Sequence, residues 1–430
     1  MGRKIYEKNM LYTVLRPYVD WCTRHSYRRV EIRGEENLPK DGAVLLAPNH
    51  CNTLMDALVV LRAYKGPTVF GARADMFNNP MIAKIMHFLR ILPMVRQRDG
   101  LRNVLKNHDT QEMIVETLEN GVRFCMYPEG RHRPARSLLP LGKGVFRAAL
   151  AANAKFGEDR PVYIVPVGLE YGDYFRYRST SLLTYGKPIN VTEFVRGLDV
   201  ENEAQMIEPL RKELSSRMSQ LITYIRDDDR LPEKWALTKV LTNGSKGTPA
   251  ARMENRRKVV ARIEDACEHM PEYMEKLLSK VEDFERKRRR SGISSFSFGK
   301  KRPVLNAIGK GLLALIGLPY YLFSAITTSP MWLTFGFLRG KIKDRAFQNT
   351  AGFGLKLAMG PLVFILWTVL SFCLLQWPLA LAFSLLTIPA YSYFYDYKEF
   401  IRIYTSDLKL FGNGKLDKMY NSILSEAKEL

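Results

Sequence analysis

The stretch from Leu357 to Tyr395 runs for 39 residues without a charged side chain. A helix needs about 20 residues to cross the hydrocarbon core of a bilayer. The stretch therefore has room for two spans, and Gln376, Trp377 and Pro378 at its middle predict the turn between them. Inside lipid every backbone N–H and C=O must be satisfied within the protein, so such segments are confined to helices or closed barrels. A second uncharged stretch, Gly311 to Leu338, is interrupted by Gly317, Pro319, Pro330 and Gly336. Its halves are short for full spans, which predicts a re-entrant or interfacial hairpin. Tyr391, Tyr393, Tyr395 and Tyr397 predict an aromatic belt at the interface. Cations at Lys300, Lys301 and Arg302, and again from Arg339 to Arg345, flank the apolar region. They predict cytosolic placement of both flanks. The expectation is an integral membrane protein with embedded hairpins over 300–400 and a cytosolic tail over 401–430.

Elsewhere the chain is strongly basic. Lys and Arg number 65 against 44 Asp and Glu, a formal charge of +21 in 430 residues. That balance calls for an anionic partner: nucleic acid, an acidic substrate or a membrane surface. No nucleic-acid-binding motif occurs. The unbroken cationic run Arg286 to Arg290 closely precedes the apolar region, so membrane lipid is the expected partner. The five cysteines (22, 51, 125, 267 and 373) include no C-x-x-C pair. They predict reduced thiols and a cytosol-facing soluble part. Met1 to Met10 is polar and charged, unlike a cleavable signal peptide. Next, Leu11, Val14, Leu15, Tyr18 and Cys22 share a helical face beside Arg16 and Arg24. This predicts an amphipathic helix within 1–29, kinked at Pro17, at a membrane interface; a core-packing helix is the equal alternative.

Residues 30–190 alternate short apolar runs with helical patterns. Strands are expected at 30–33, 43–48, 67–72, 91–95, 122–127, 162–169 and 181–187. Helices are expected at 55–64, 79–90, 109–119 and 142–156. The fold class is α/β, a mixed central sheet with flanking helices, extended by a helical region over 200–299 and by the C-terminal membrane helices. In the helical region Ile207, Leu210, Leu214, Met218, Leu221 and Ile225 form one apolar stripe.

The chemistry-bearing stretch is Asn49-His50-Cys51-Asn52-Thr53-Leu54-Met55-Asp56. It follows the apolar run 43–48, and it leads into a second apolar run suited to a helix. A His leaving a strand and an Asp one turn into the next helix can approach each other. The carboxylate can then fix the imidazole tautomer and stabilise its charged form, which equips His50 as a general base for a hydroxyl. Cys51 has no neighbour pattern of a nucleophile and is read as packing. His50, Asp56, Glu129 and His132 lack a standard metal-ligand spacing, so no metal is expected.

Three later blocks carry a resemblance. They are Leu92-Pro93-Met94-Val95-Arg96-Gln97-Arg98-Asp99; Phe124-Cys125-Met126-Tyr127-Pro128-Glu129-Gly130-Arg131, continuing into Leu141-Gly142-Lys143-Gly144; and Ile164-Val165-Pro166-Val167-Gly168-Leu169. With Asn49, His50 and Asp56 ahead of them, in this order, residues 30–190 resemble the glycerol-phosphate and lysophosphatidic acid acyltransferase superfamily. The lead-in Val30-Glu31-Ile32-Arg33-Gly34 with Asn37-Leu38-Pro39 fits as well. Two departures stand out. Five residues separate His50 from Asp56 where the family usually has four, a spacing similar to a subgroup that acylates glycerol 3-phosphate or dihydroxyacetone phosphate. His132 stands where the family usually has Arg, flanked by Arg131 and Arg133.

The resemblance implies a glycerophosphate acyltransferase-like domain over 30–199. It implies transfer of a fatty acyl group from acyl-CoA or acyl-carrier protein to a glycerol phosphate hydroxyl, in phospholipid biosynthesis, with no cofactor beyond the donor. His50 and Asp56 would be catalytic. Asn49, Arg96, Arg98, Glu129, Gly130, Arg131, Arg133 and Lys143 would bind substrate, the cations gripping the phosphate. The 1-acyl acceptor is favoured slightly over free glycerol 3-phosphate. Two alternatives stay open: an acyltransferase for a lyso-aminolipid, and a catalytically idle membrane scaffold.

Overall fold

The computed structural model describes residues 4–94, 104–198, 200, 202–226, 228–300 and 302–429. The chain divides into two units. The first comprises Met1–Arg24, Val30–Tyr174 and Thr180–Ile222. The second comprises His25–Arg29, Phe175–Ser179 and Thr223–Leu430.

The first unit opens with α1 (Met10–Ser26) and β1 (Tyr27–Arg33), of which His25–Arg29 falls in the second unit. Then come β2 (Ala43–Pro48), α2 (Leu54–Ala63), β3 (Thr68–Arg73), α3 (Pro80–Phe88), β4 (Ile91–Met94), α4 (Val104–Glu119), β5 (Arg123–Cys125) and α5 (Gly144–Phe156). It finishes with β6 (Val162–Tyr171), β7 (Ser179–Tyr185), β8 (Ile189–Asn190), α6 (Val191–Arg196) and α7 (Glu203–Ser219). The sheet runs β1-β7-β6-β2-β5-β3-β4, with β8 paired to β6. β2 lies parallel to β5 and β6, and β3 parallel to β4 and β5, whereas β7 and β8 run antiparallel to β6. The sheet is therefore mixed, as expected, and every expected strand is present within a few residues.

All six residues of β2 are buried. A parallel strand covered on both faces needs such a continuous apolar run. Leu45 pairs with Phe124 on one side and Ile164 on the other. Helices α4, α5 and α7 cover one face with Ile114, Leu118, Phe146, Ala149, Ile207, Leu210 and Leu214. The alanines of α5 let it sit close. α7 thus belongs to this core, and the first unit ends at Ile222. The turn after β1 is equally constrained: Gly34 has φ +74°, and a Cβ there would lie 2.1 Å from the Tyr185 carbonyl oxygen.

In the second unit α8 (Leu231–Leu241), α9 (Pro249–His269), α10 (Pro271–Arg290) and α15 (Gly414–Glu426) form a helical lobe. The cationic run at the end of α10 is partly spent locally. Arg286 and Lys287 pair with Asp283, and Arg288 and Arg289 with Glu285. Burial opposes ionisation of Glu285, yet Arg288, Lys239 and Arg289 hold its carboxyl down at about 2.

Between α10 and α15 lie α11 (Pro303–Thr327), α12 (Ser329–Lys341), α13 (Arg345–Leu374) and α14 (Trp377–Phe411). Three of these, α11, α13 and α14, are long and apolar enough to cross a membrane. The turn near Gln376 is where the sequence places it. The expected short halves over 311–338 are not found: α11 continues through Gly317 and Pro319 for 25 residues. The stretch around these breakers is packed against α14. Here the Gly317 carbonyl accepts the Tyr393 hydroxyl at 3.0 Å, and the Ala314 carbonyl accepts that of Tyr397 at 2.7 Å. A Cβ at Gly317 would sit 2.6 Å from the Tyr393 oxygen. Tyr393 and Tyr397 are therefore helix–helix contacts, where the sequence suggests an interface belt. Tyr391 and Tyr395 pack edge-on against Tyr177, whose hydroxyl accepts from Lys356 at 3.0 Å.

The C-terminal residues expected as a tail include α15, which buries Leu416, Tyr420 and Ile423 among Leu237, Val281 and Phe284. Ile423→Ala should therefore destabilise the helical lobe by about 2–5 kcal/mol. Denaturant titration in detergent, followed by protease susceptibility of α8–α10, measures it; an unchanged midpoint would place α15 outside that core.

Candidate active site

β2 ends at Pro48, and the chain must turn before α2 begins. Asn49 makes the turn rigid. Its amide oxygen accepts the Leu169 N–H at 2.6 Å and its amide nitrogen donates to the Leu169 carbonyl at 3.1 Å. The side chain thus extends the β2–β6 pairing by one peptide-like step. This is a bracing position for a residue that sequence analysis placed among the substrate contacts.

Asp56, in the first turn of α2, is fully buried. Its Oδ2 lies 2.8 Å from His50 Nδ1 and accepts the N–H groups of Cys51 at 2.8 Å and Asn52 at 2.6 Å. Its Oδ1 accepts the Tyr171 hydroxyl at 2.8 Å. The intervening turn wraps around the carboxylate, with Thr53 in the left-handed region at φ 44°. Backbone strain of this kind persists only where surrounding bonds over-determine it. Because the other groups around this carboxyl are donors, it is the acceptor and Nδ1 of His50 donates. The neutral ring then carries its lone pair on Nε2.

The loop after β5 holds His50 from the other side. Glu129 accepts the His50 N–H on Oε1 at 2.7 Å and the Leu139 N–H on Oε2 at 2.8 Å. The Arg133 N–H donates to the His50 carbonyl at 2.9 Å. Both backbone polar groups of His50 are therefore fixed by residues 129–133. Burial raises the Glu129 carboxyl above its usual range, against the two N–H donors and His50. Gly130 takes φ +66° to close this turn, its N–H on the Tyr127 carbonyl. The Tyr127 ring stacks on the imidazole at 4.1 Å, and His132 meets it edge-on at 5.9 Å.

The remaining sequence candidates are distributed unevenly. Arg133 donates to Ser137 Oγ and the Leu138 carbonyl, so its guanidinium braces the loop. Arg131 and Lys143 are exposed, Lys143 at the start of α5. Arg96 and Arg98 lie outside the described residues. Cys51 is buried, and burial, followed by the Asp56 charge, pushes its thiol well up. That keeps it protonated and fits packing. Among the described residues no group of three His, Cys, Asp or Glu could hold a metal ion.

Three residues escaped sequence analysis: Arg136, Glu170 and Tyr171. Arg136 is buried, pairs with Glu170 at 3.0 Å, donates to the Tyr171 carbonyl at 2.5 Å and lies over the Tyr174 ring. A buried pair of this kind fixes geometry more than it adds stability. Here it holds the end of β6, from which Tyr171 reaches Asp56. The sequence signals only Glu170, a carboxylate at the end of an apolar run; Arg136 sits among other cations and does not stand out.

Asp56→Asn should be severe in two ways. An amide can present its oxygen to only one side, so its NH₂ faces either Tyr171 or the two backbone N–H groups. Both kcat and thermal stability should fall. Tyr171→Phe removes a single donor to a charged group, worth about 1.5–3 kcal/mol, and should lower kcat about tenfold or more with little change in acceptor KM. Steady-state kinetics beside thermal unfolding of each variant checks this; unchanged kcat in both would detach the buried network from the reaction.

Comparison with known proteins finds similarity over the first part of the chain. A family model described as Acyltransferase matches residues 29–170. Glycerol-3-phosphate O-acyltransferase 2 of Saccharomyces cerevisiae is 28% identical over 127 residues, 30% of this chain. The chain spans 17% of that relative's length. The crystal structure of the 1-acyl-sn-glycerophosphate acyltransferase PlsC from Thermotoga maritima aligns with a TM-score of 0.34 and 21% identity, over 48% of this chain and 80% of the other. Residues 29–170, which include His50 and Asp56, are thus similar to the Acyltransferase family.

Proposed function

We propose that the chain is a membrane-bound O-acyltransferase that moves a fatty acyl group from a thioester, acyl-CoA or acyl-carrier protein, to a hydroxyl of a glycerol phosphate. The observation that carries this reading is the 2.8 Å bond from His50 Nδ1 to a fully buried, multiply anchored Asp56. With Nδ1 committed, Nε2 takes the hydroxyl proton as the oxygen attacks the thioester carbonyl. The tetrahedral intermediate expels the thiolate, and the proton on Nε2 passes to that sulfur. Asp56 balances the transient imidazolium charge. Because a thioester is already activated, no covalent acyl-enzyme is needed.

A phosphate-bearing acceptor is supported by the name of the yeast relative and by the five-residue His50–Asp56 spacing. The exposed cations Arg131 and Lys143 are available for the phosphate, and the family resemblance adds Arg96 and Arg98. The acyl state of the acceptor is set slightly toward the 1-acyl form. Both that lipid and the acyl chain of the donor reside at a membrane, and the three helices long and apolar enough to cross one support the same location for this chain. The cationic flanks favour a site facing the cytosol.

His50→Ala should lower turnover about 10²–10⁴-fold while the protein still folds and extracts with membranes. The acceptor is read by supplying one acyl-CoA with glycerol 3-phosphate, its 1-acyl form, dihydroxyacetone phosphate and a neutral lyso-lipid in parallel. Product from the phosphate acceptors supports the reading. Product from the neutral lyso-lipid alone would transfer the activity to the aminolipid alternative, and no product with any acceptor would favour the idle scaffold.

A further inference from the structure

The helix α3 buries nothing. Seven of the nine residues from Pro80 to Phe88 are apolar, yet none is buried. Met81 is 72% exposed and Ile85 51%, and Ile82 and the flanking Met76 and Leu89 are exposed as well. The helix forms for local reasons: Asn79 caps it by accepting the N–H groups of Met81 and Ile82, and Pro80 occupies its first turn. An amphipathic helix on a water-facing surface normally turns its apolar side inward. Here that side is left outward.

α1 adjoins it within the same unit. Tyr12 meets Phe88 edge-on at 6.1 Å. Arg90, just after α3, lies over the Tyr12 ring and donates to the Glu7 carbonyl. α1 also shows an outward apolar face, with Met10, Leu11, Val14, Leu15 and Trp21 exposed. These exposed side chains run from Met10 to Trp21, while Cys22 is buried. Exposed apolar surface gathered on two neighbouring helices marks a contact site.

Charge and length identify the occupant. α3 contains no acidic residue and carries Lys84 and His87. On α1 the single acidic residue, Asp20, is paired with Arg16. Apolar surface edged by cations complements an anionic lipid surface. Nine residues rise only about 13 Å as a helix, too short to cross a bilayer. The inference rests on the membrane-bound reading proposed above, in which the three helices long and apolar enough to cross a bilayer bring the chain to lipid. We propose that α3, with α1 beside it, is a lipid-contacting face of the catalytic unit, lying in the plane of an anionic bilayer at the boundary between headgroups and acyl chains.

The test uses the full chain with Cys267→Ser and Cys373→Ser, which removes the two cysteines that are not buried. A nitroxide is attached through Ile85→Cys, and in a second variant through Val14→Cys. A third carries it through Glu158→Cys, at a side chain 76% exposed in the same unit. Each protein is reconstituted in phosphatidylcholine–phosphatidylglycerol vesicles. Accessibility to oxygen and to a water-soluble nickel chelate is then read by power saturation. The proposal expects a several-fold higher oxygen-to-nickel ratio at positions 85 and 14 than at 158. Equal ratios at all three positions would overturn it. So would spin–spin broadening at position 85 that vanishes on dilution with unlabelled chain, which would assign the face to a second copy. The readout does not depend on turnover, so it can fail while acyl transfer stands, and the reverse.

Discussion

A carboxylate taken fully out of water is tolerated only when donors replace its hydration. Asp56 meets that requirement through the Cys51 and Asn52 N–H groups, the Tyr171 hydroxyl and His50 Nδ1. Much of the first unit serves this arrangement. The β2–β6 pairing, continued by Asn49, sets where the turn begins. The Glu129 loop clamps the His50 peptide. The Arg136–Glu170 pair steadies the strand end that presents Tyr171. Each bond is ordinary alone; together they leave the imidazole one orientation.

The second unit has a different physical logic. α11, α13 and α14 expose apolar side chains such as Leu315, Ile316, Leu362 and Leu374, which water would not tolerate and lipid does. α11 and α14 are joined by tyrosine hydroxyls on backbone carbonyls, and α13 meets them through the Trp367 indole and Ser371. At the polar end of α14, Arg28 and Arg178 both pair with Asp396, and Arg176 with Glu399. The five-residue segment Phe175–Ser179 is thus held by the helices of this unit, although it joins two strands of the sheet. The proposed reaction, between a lipid acceptor and an acyl thioester, suits a chain built in this way.

The strands were legible because buried parallel strands demand unbroken apolar runs, as in Ala43 to Pro48. The pairing of His50 with Asp56 was legible because a strand–turn–helix leaves few places for either side chain. What escaped were interactions between residues far apart in sequence. Tyr171 reaches Asp56 across 115 positions, and nothing local in Glu170-Tyr171 announces it. Asn49 and Glu129 were placed among the substrate contacts by the family resemblance. Their polar atoms are instead turned onto backbone groups. Gly317 and Pro319 misled for a related reason: they break helices in water, but a partner helix that fills the gap removes the penalty. α15 looked like a tail because a single amphipathic helix does not say which surface it will cover.

The central claim is that the buried carboxylate fixes His50 as the Nδ1–H tautomer, with Nε2 free to take a proton. Nitrogen NMR of histidine-labelled protein in micelles reads this directly, with the signals of His50 assigned by their loss in His50→Gln. The account predicts a neutral ring protonated at Nδ1 and coupled to a downfield proton, and loss of that preference in Asp56→Asn. A ring protonated at Nε2, or a tautomer unchanged in Asp56→Asn, would contradict it.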